Sequence, residues 1–298
     1  HRKGWKEIDM EKYDLIHIQF YITRLKQLLR YKIMGGRTPV ILITLHDIPT
    51  GIKSKRYFTI FRNVILLNEE TKNQFLKEHP IISRTLVKNI FEAPYLGIDQ
   101  DLKERVKEKG IDTDLDEENT NLVCPGFIHN KKAFHKVVEL MPELVDEIPD
   151  LHLTMSGGLH RYGHEDYLED LKQKIKDTGL EDRIEITGVL PTEDHVNQYI
   201  IEADAVALPF EEISQSATLT KTLALGTTPV VTPLDTLKPA INNYNGVMIE
   251  EDNSEGLKKG IIKAIRNPPT INSEKIREEL SWENNAEKHL KIYSEIIS

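Results

Sequence analysis

Asp204-Ala205-Val206-Ala207-Leu208-Pro209-Phe210 leads through a polar loop into Ser216-Ala217-Thr218-Leu219-Thr220-Lys221-Thr222-Leu223-Ala224-Leu225-Gly226, and then into Thr228-Pro229-Val230-Val231. The order reads as strand, loop, short helix, strand. The run 205–208 is short and apolar and stops at Pro209, as a buried parallel strand does. Ser214 and Ser216 offer hydroxyls to cap the helix, and Gly226 stands where it ends. In a doubly wound sheet, ligands sit outside the carboxyl ends of the strands. A helix beginning there points free N–H groups and a partial positive charge at them. The stretch therefore suits a phosphate, with the N–H groups near Ser216, Ala217, Thr218 and Leu219 as donors.

The same alternation continues on both sides. Residues 13–20 read as a buried strand, 21–33 as an amphipathic helix ended by Gly35-Gly36, and 39–45 as a strand that delivers His46-Asp47-Ile48-Pro49. Further strands are expected over 62–68 and 89–96, with a helix over 69–77. Residues 98–120 are rich in charge and read as an interdomain linker with one short helix near 102–109. Asp112, Asp114 and Asp116 lie in that polar run and read as a solvated loop rather than a metal site. A second series of strands and helices occupies 121–280, and residues 281–298 form a terminal helix, expected to pack back toward the first domain. The fold class is α/β.

Composition bounds the rest. A chain of 298 residues favours two domains over one. Hydrophobic residues at 39% and charged residues at 29% are those of an ordinary globular protein. The net charge of −9 weighs against nucleic acid as a partner. No apolar run approaches the ~20 residues that span a bilayer. Cys124 is the single cysteine, so no intrachain disulfide forms, and the chain reads as cytoplasmic. Cys124 sits in an apolar strand and reads as a core residue. The chain opens on His1 rather than an initiator methionine, as a piece of a longer protein would.

Several segments, taken in order, resemble the GT-B fold, family-four-like retaining glycosyltransferases (glycosyl transferases group 1). Gly126-Phe127-Ile128-His129-Asn130-Lys131-Lys132 is similar to that family's glycine, loop and lysine signature. Ser156-Gly157-Gly158, the strand over 183–188, Ala203-Asp204 through Pro209, the helix and strand over 218–231, Asn245-Gly246 and the final helix follow at the family's spacing. In the first domain, residues 14–19, Thr44-Leu45-His46-Asp47 and Ala93-Pro94 through Asp99 resemble elements of its second half only. The resemblance implies two Rossmann-like domains facing across a cleft, the N-terminal one incomplete. It implies a hexosyltransferase that takes a UDP- or GDP-sugar and passes the sugar, with retention, to a glycan or lipid-linked acceptor. No metal and no other cofactor are implied. The missing N-terminal part leaves room for a peripheral membrane contact.

The expected roles follow residue by residue. Lys132 opens a helix and meets the leaving phosphate. Gly126 lets the backbone approach it, with Phe127 and His129 beside it. His46 faces the donor sugar, and His17 and Gln19 are weaker acceptor-side candidates. The family's spaced pair of glutamates falls here at Ile213 and Lys221. A lysine accepts no hydrogen bond, so Lys221 cannot hold ribose hydroxyls as the family's glutamate does. Glu211 or Glu212 is the nearest substitute for the first. These departures keep open a catalytically weak or inactive nucleotide- or glycan-binding protein, and a nucleotide-sugar epimerase of the same fold.

Overall fold

The computed structural model describes residues 12–19, 39–46, 58, 62–94, 96–159 and 164–298. The helix expected over 21–33, its Gly35-Gly36 stop and Asp47-Ile48-Pro49 lie outside these. The chain divides into two compact units, one of residues 1–97 with 282–298 and one of residues 98–281.

The first unit holds a four-stranded parallel sheet in sequential order: β1 (Leu15–Ile18), β2 (Val40–Leu45), β3 (Asn63–Leu66) and β4 (Asn89–Glu92). Helices α1 (Glu69–Glu78) and α2 (Pro80–Thr85) lie between β3 and β4. Asn68 starts α1 with a reciprocal cap, its side chain accepting from the Thr71 N–H at 2.8 Å. The strand period assigns each face. Ile43, Leu45, Val64 and Leu66 pack with Phe75 of α1 and Ile82 of α2. Their alternates Leu42 and Ile65 pack with Ala93 and Ile292 on the opposite face. Ile292 belongs to the terminal helix Trp282–Ile297, which returns to this unit.

In the second unit, α3 (Leu102–Glu108) precedes a six-stranded parallel sheet. Its strands are β5 (Thr120–Val123), β6 (Leu151–Met155), β7 (Ile184–Ile186), β8 (Ala205–Leu208), β9 (Pro229–Val231) and β10 (Val247–Met248). The spatial order is β10-β9-β8-β5-β6-β7, all pairs parallel. That is the doubly wound order, with its reversal between β5 and β8. Helices α4 (His135–Glu147), α5 (Glu165–Thr178), α6 (Glu193–Glu202), α7 (Ala217–Leu225), α8 (Lys238–Tyr244) and α9 (Ser254–Arg266) alternate with the strands, and α10 (Ser273–Glu279) closes the unit. One continuous core of Leu122, Phe134, Leu153, Ala207, Val230 and Ile261 joins sheet and helices. Truncating one such side chain to alanine typically costs about 2–5 kcal/mol. Cys124 lies fully buried in this core, and burial pushes its thiol up to about 12.

Residues 98–120 do not behave as a free linker. Val106 of α3 is fully buried. Arg105 donates to Asp194 of α6 at 3.2 Å, and Lys109 donates to the same carboxylate. The acidic run that follows is the exposed part, with Asp116 and Glu117 at the surface. Among the described residues, no helix is long and apolar enough to cross a membrane.

Candidate active site

The reversal of strand order places two loops side by side, one after β5 and one after β8. The first carries Gly126 and Lys132, the second leads into α7. They open into one cavity of about 300 Å³, lined by Gly126, Lys132, Ala217 and Thr218 among others.

Local backbone geometry sets the lysine. After β5 the chain bends at Gly126, whose φ of +99° suits glycine. A Cβ added there would stand 2.4 Å from Lys132 Nζ, so the same glycine makes room for the ammonium. Gly157 is needed for a similar reason, since its added Cβ would meet the Gly126 carbonyl oxygen at 2.3 Å. Lys132 does not open a helix. It ends a short 3-10 turn, Asn130–Lys132, and Ala133 then takes a left-handed conformation before α4 starts at His135. That left-handed residue breaks the helical path. The Lys132 ammonium donates to the Pro125 carbonyl at 3.0 Å and lies 5.7 Å from the ring of Phe134 and 5.9 Å from that of Phe210. Burial pushes its pKa down to about 8.

On the facing loop, Ser216 is the N-cap, its hydroxyl accepting from the Leu219 N–H at 3.0 Å. Leu219 therefore spends its amide inside the cap and is buried, so it is not a free phosphate donor. Ala217 and Thr218 line the cavity, and helix geometry gives their N–H groups no acceptor within the helix. Ser214 is not the cap and does not line the cavity. Gly226 ends α7 in the left-handed region, φ +88°.

Other expected residues fall elsewhere. Phe127 lines the cavity and is half exposed. His129 accepts from the Lys131 N–H through its Nδ1 at 3.1 Å, and the centroid of its ring lies 3.9 Å from that of His164. Glu212 pairs with Lys131 at 2.9 Å on the exterior, and neither it nor Glu211 lines the cavity. His46 follows the carboxyl end of β2 in the first unit. His17 is tied down on both ring nitrogens, Nδ1 to the Tyr293 hydroxyl at 2.7 Å and Nε2 to Thr44 Oγ1 at 2.8 Å. Gln19 is partly exposed just past β1.

Other residues lining the cavity went unnoticed in the sequence. Val189, Leu190, Val196 and Ile200, with Glu193, come from the β7–α6 segment. Lys221 of α7, singled out in the sequence, lines the cavity with them. The usable signal was topological, because β7 also ends at the carboxyl edge of this sheet.

A cavity with a cation and helix amides at the switch point of a six-stranded doubly wound sheet defines a Rossmann-like class of protein. The profile of the family described as glycosyl transferases group 1 matches residues 106–289, more than half of the sequence, and the chain belongs to that family. An uncharacterized glycosyltransferase of Methanocaldococcus jannaschii is 24% identical over 250 residues, covering 79% of this chain. The match spans only 59% of that relative's length. Among solved structures, a glycosyltransferase from Rickettsia africae superposes with a TM-score of 0.74 at 18% identity, over 100% of this chain and 80% of its own. Anabaena HepE bound to UDP and glucose gives 0.73 at 18% identity, over 97% and 78%. Sucrose-phosphate synthase from Thermosynechococcus elongatus gives 0.73 at 15% identity, over 96% and 74%. The fold is that of GT-B glycosyltransferases.

Proposed function

We propose that this chain takes a hexose from a UDP- or GDP-sugar and transfers it, with retention and without a metal, to a hydroxyl of a glycan or lipid-linked acceptor. One observation carries the reading: Lys132 and the first-turn residues Ala217 and Thr218 line the same cavity at the switch point. In such a transfer the bond from the anomeric carbon to a phosphate oxygen breaks, and its electron pair stays on the diphosphate. The acceptor oxygen bonds to the anomeric carbon, and its proton leaves to a released phosphate oxygen. Charge grows on the diphosphate as the bond lengthens, where fixed donors stabilise it most. Lys132 supplies a mobile point charge and α7 supplies two oriented N–H groups. His46, on the first unit, is proposed to face the donor sugar.

The test begins with thermal-shift screening against UDP, GDP and ADP and their sugars, since a ligand of the folded state raises its melting temperature. The selected sugar nucleotide is then offered to simple glycan acceptors, with and without a chelator, and the product's anomeric configuration is read by NMR. Lys132→Ala should remove a charge-assisted contact of about 1.5–3 kcal/mol and cut turnover at least tenfold. Unchanged turnover and nucleotide affinity in that variant would remove Lys132 from the site.

A second reading is favoured by Lys221 at a position where the family carries glutamate: a nucleotide-binding protein of the same fold without transferase activity. Binding without product, across a broad acceptor panel, would favour it.

A further inference from the structure

The cavity that holds Lys132 also contains a carboxylate beside Lys221. Lys221 projects from the second turn of α7, its side chain only 14% exposed, and donates to Glu193 in the first turn of α6. Both residues line the cavity that holds Lys132. Among the described lining residues Glu193 is the sole carboxylate. Glu193 is the solvent-facing partner, and an ion pair screened by solvent contributes little to stability, typically about 0–1 kcal/mol.

We infer that Glu193 is the residue that recognises the ribose of a nucleoside diphosphate in this chain, with Lys221 holding its carboxylate in place. The inference rests on the nucleotide reading proposed above. Its geometry follows from the helix. Lys221 lies four residues beyond Ala217, about 6 Å along the α7 axis from the amides that suit a phosphate. In a nucleoside diphosphate the ribose comes next after the phosphates. A carboxylate has about four acceptor positions, and one lysine occupies only part of them. The remainder suits the two hydroxyls of a cis-diol. The wall beyond, Val189, Leu190 and Val196, is apolar and suits the flat base.

The test is calorimetric, on the whole chain, with UDP, GDP and ADP and the 2′,3′-dideoxy form of each. Wild type should bind the ribose form of the preferred nucleotide at least about tenfold tighter than its dideoxy form, the value of one charge-assisted hydrogen bond. Glu193→Ala should bring that ratio to near one while leaving the affinity for the dideoxy form unchanged. Glu193 is 71% exposed, so the variant should unfold at the wild-type temperature. A ratio that survives in Glu193→Ala, or a variant that weakens both forms equally, would overturn the assignment alone. No binding of any of the three nucleotides by the wild type would overturn both this assignment and the nucleotide reading beneath it.

Discussion

At the scale of single residues, the candidate site holds a lysine where its charge is costly. Burial lowers the Lys132 pKa from 10.5 to about 8. A bound diphosphate favours the protonated form, so the pKa should rise on binding. The sign follows directly. Below pH 8 the ammonium is already present and the lysine adds no pH dependence. Above pH 8 the free protein must take up a proton to bind, and affinity should fall by up to about tenfold per pH unit. Calorimetry with UDP, GDP or ADP between pH 7.5 and 9.5, in buffers of different ionisation enthalpy, should show that uptake. Lys132→Met should abolish it. A flat profile in the wild type would mean the ammonium does not meet the phosphates.

At the scale of elements, the sequence was legible where one local rule decides the outcome. Residues 205–208 read as a buried strand and Gly226 as the end of the following helix; both stand so in the structure. The cap was ambiguous because Ser214 and Ser216 offer the same hydroxyl. Only backbone geometry selects Ser216, and the choice consumes the Leu219 amide. Lys132 misled because glycine, loop and lysine says nothing of Ala133, whose left-handed turn delays α4. Glu193 had no local signal, because its place in the cavity comes from the adjacency of α6 and α7, not from anything near it in sequence. The Ser216 cap gives a clean test. Ser216→Ala should cost about 1 kcal/mol of stability in urea unfolding. It should also free the Leu219 amide and loosen the α7 entrance, weakening nucleotide affinity while the ribose-to-dideoxy ratio persists. A variant with wild-type stability would show that the cap carries nothing.

At the scale of the whole molecule, the chain leaves its first unit near residue 97 and returns to it at residue 282. The return is anchored by apolar and polar contacts together. Ile292 packs with Leu42 and Ile65, while the Tyr293 hydroxyl meets His17, and His289 stacks on the same ring at 5.5 Å. Burial, then the nearby charge of His289, lowers the His17 pKa from 6.5 to about 4. In the unfolded chain His17 titrates near 6.5. Between pH 6.5 and 4 the unfolded state therefore binds a proton that the folded state refuses, and stability falls as the pH falls. Below about 4 both states are protonated and this contribution levels off. Among the described residues, the groups facing the ring are Thr44, His289 and Tyr293, and none of them is a carboxylate that would reverse the sign. The measurement is the urea midpoint at pH 7, 5.5 and 4.5, followed by a probe in the first unit. His17→Asn should lose stability at pH 7, because it cannot span both hydroxyls, and should show a shallower fall toward acid. Equal acid slopes in the two proteins would show that this histidine does not set the pH response of the returning helix.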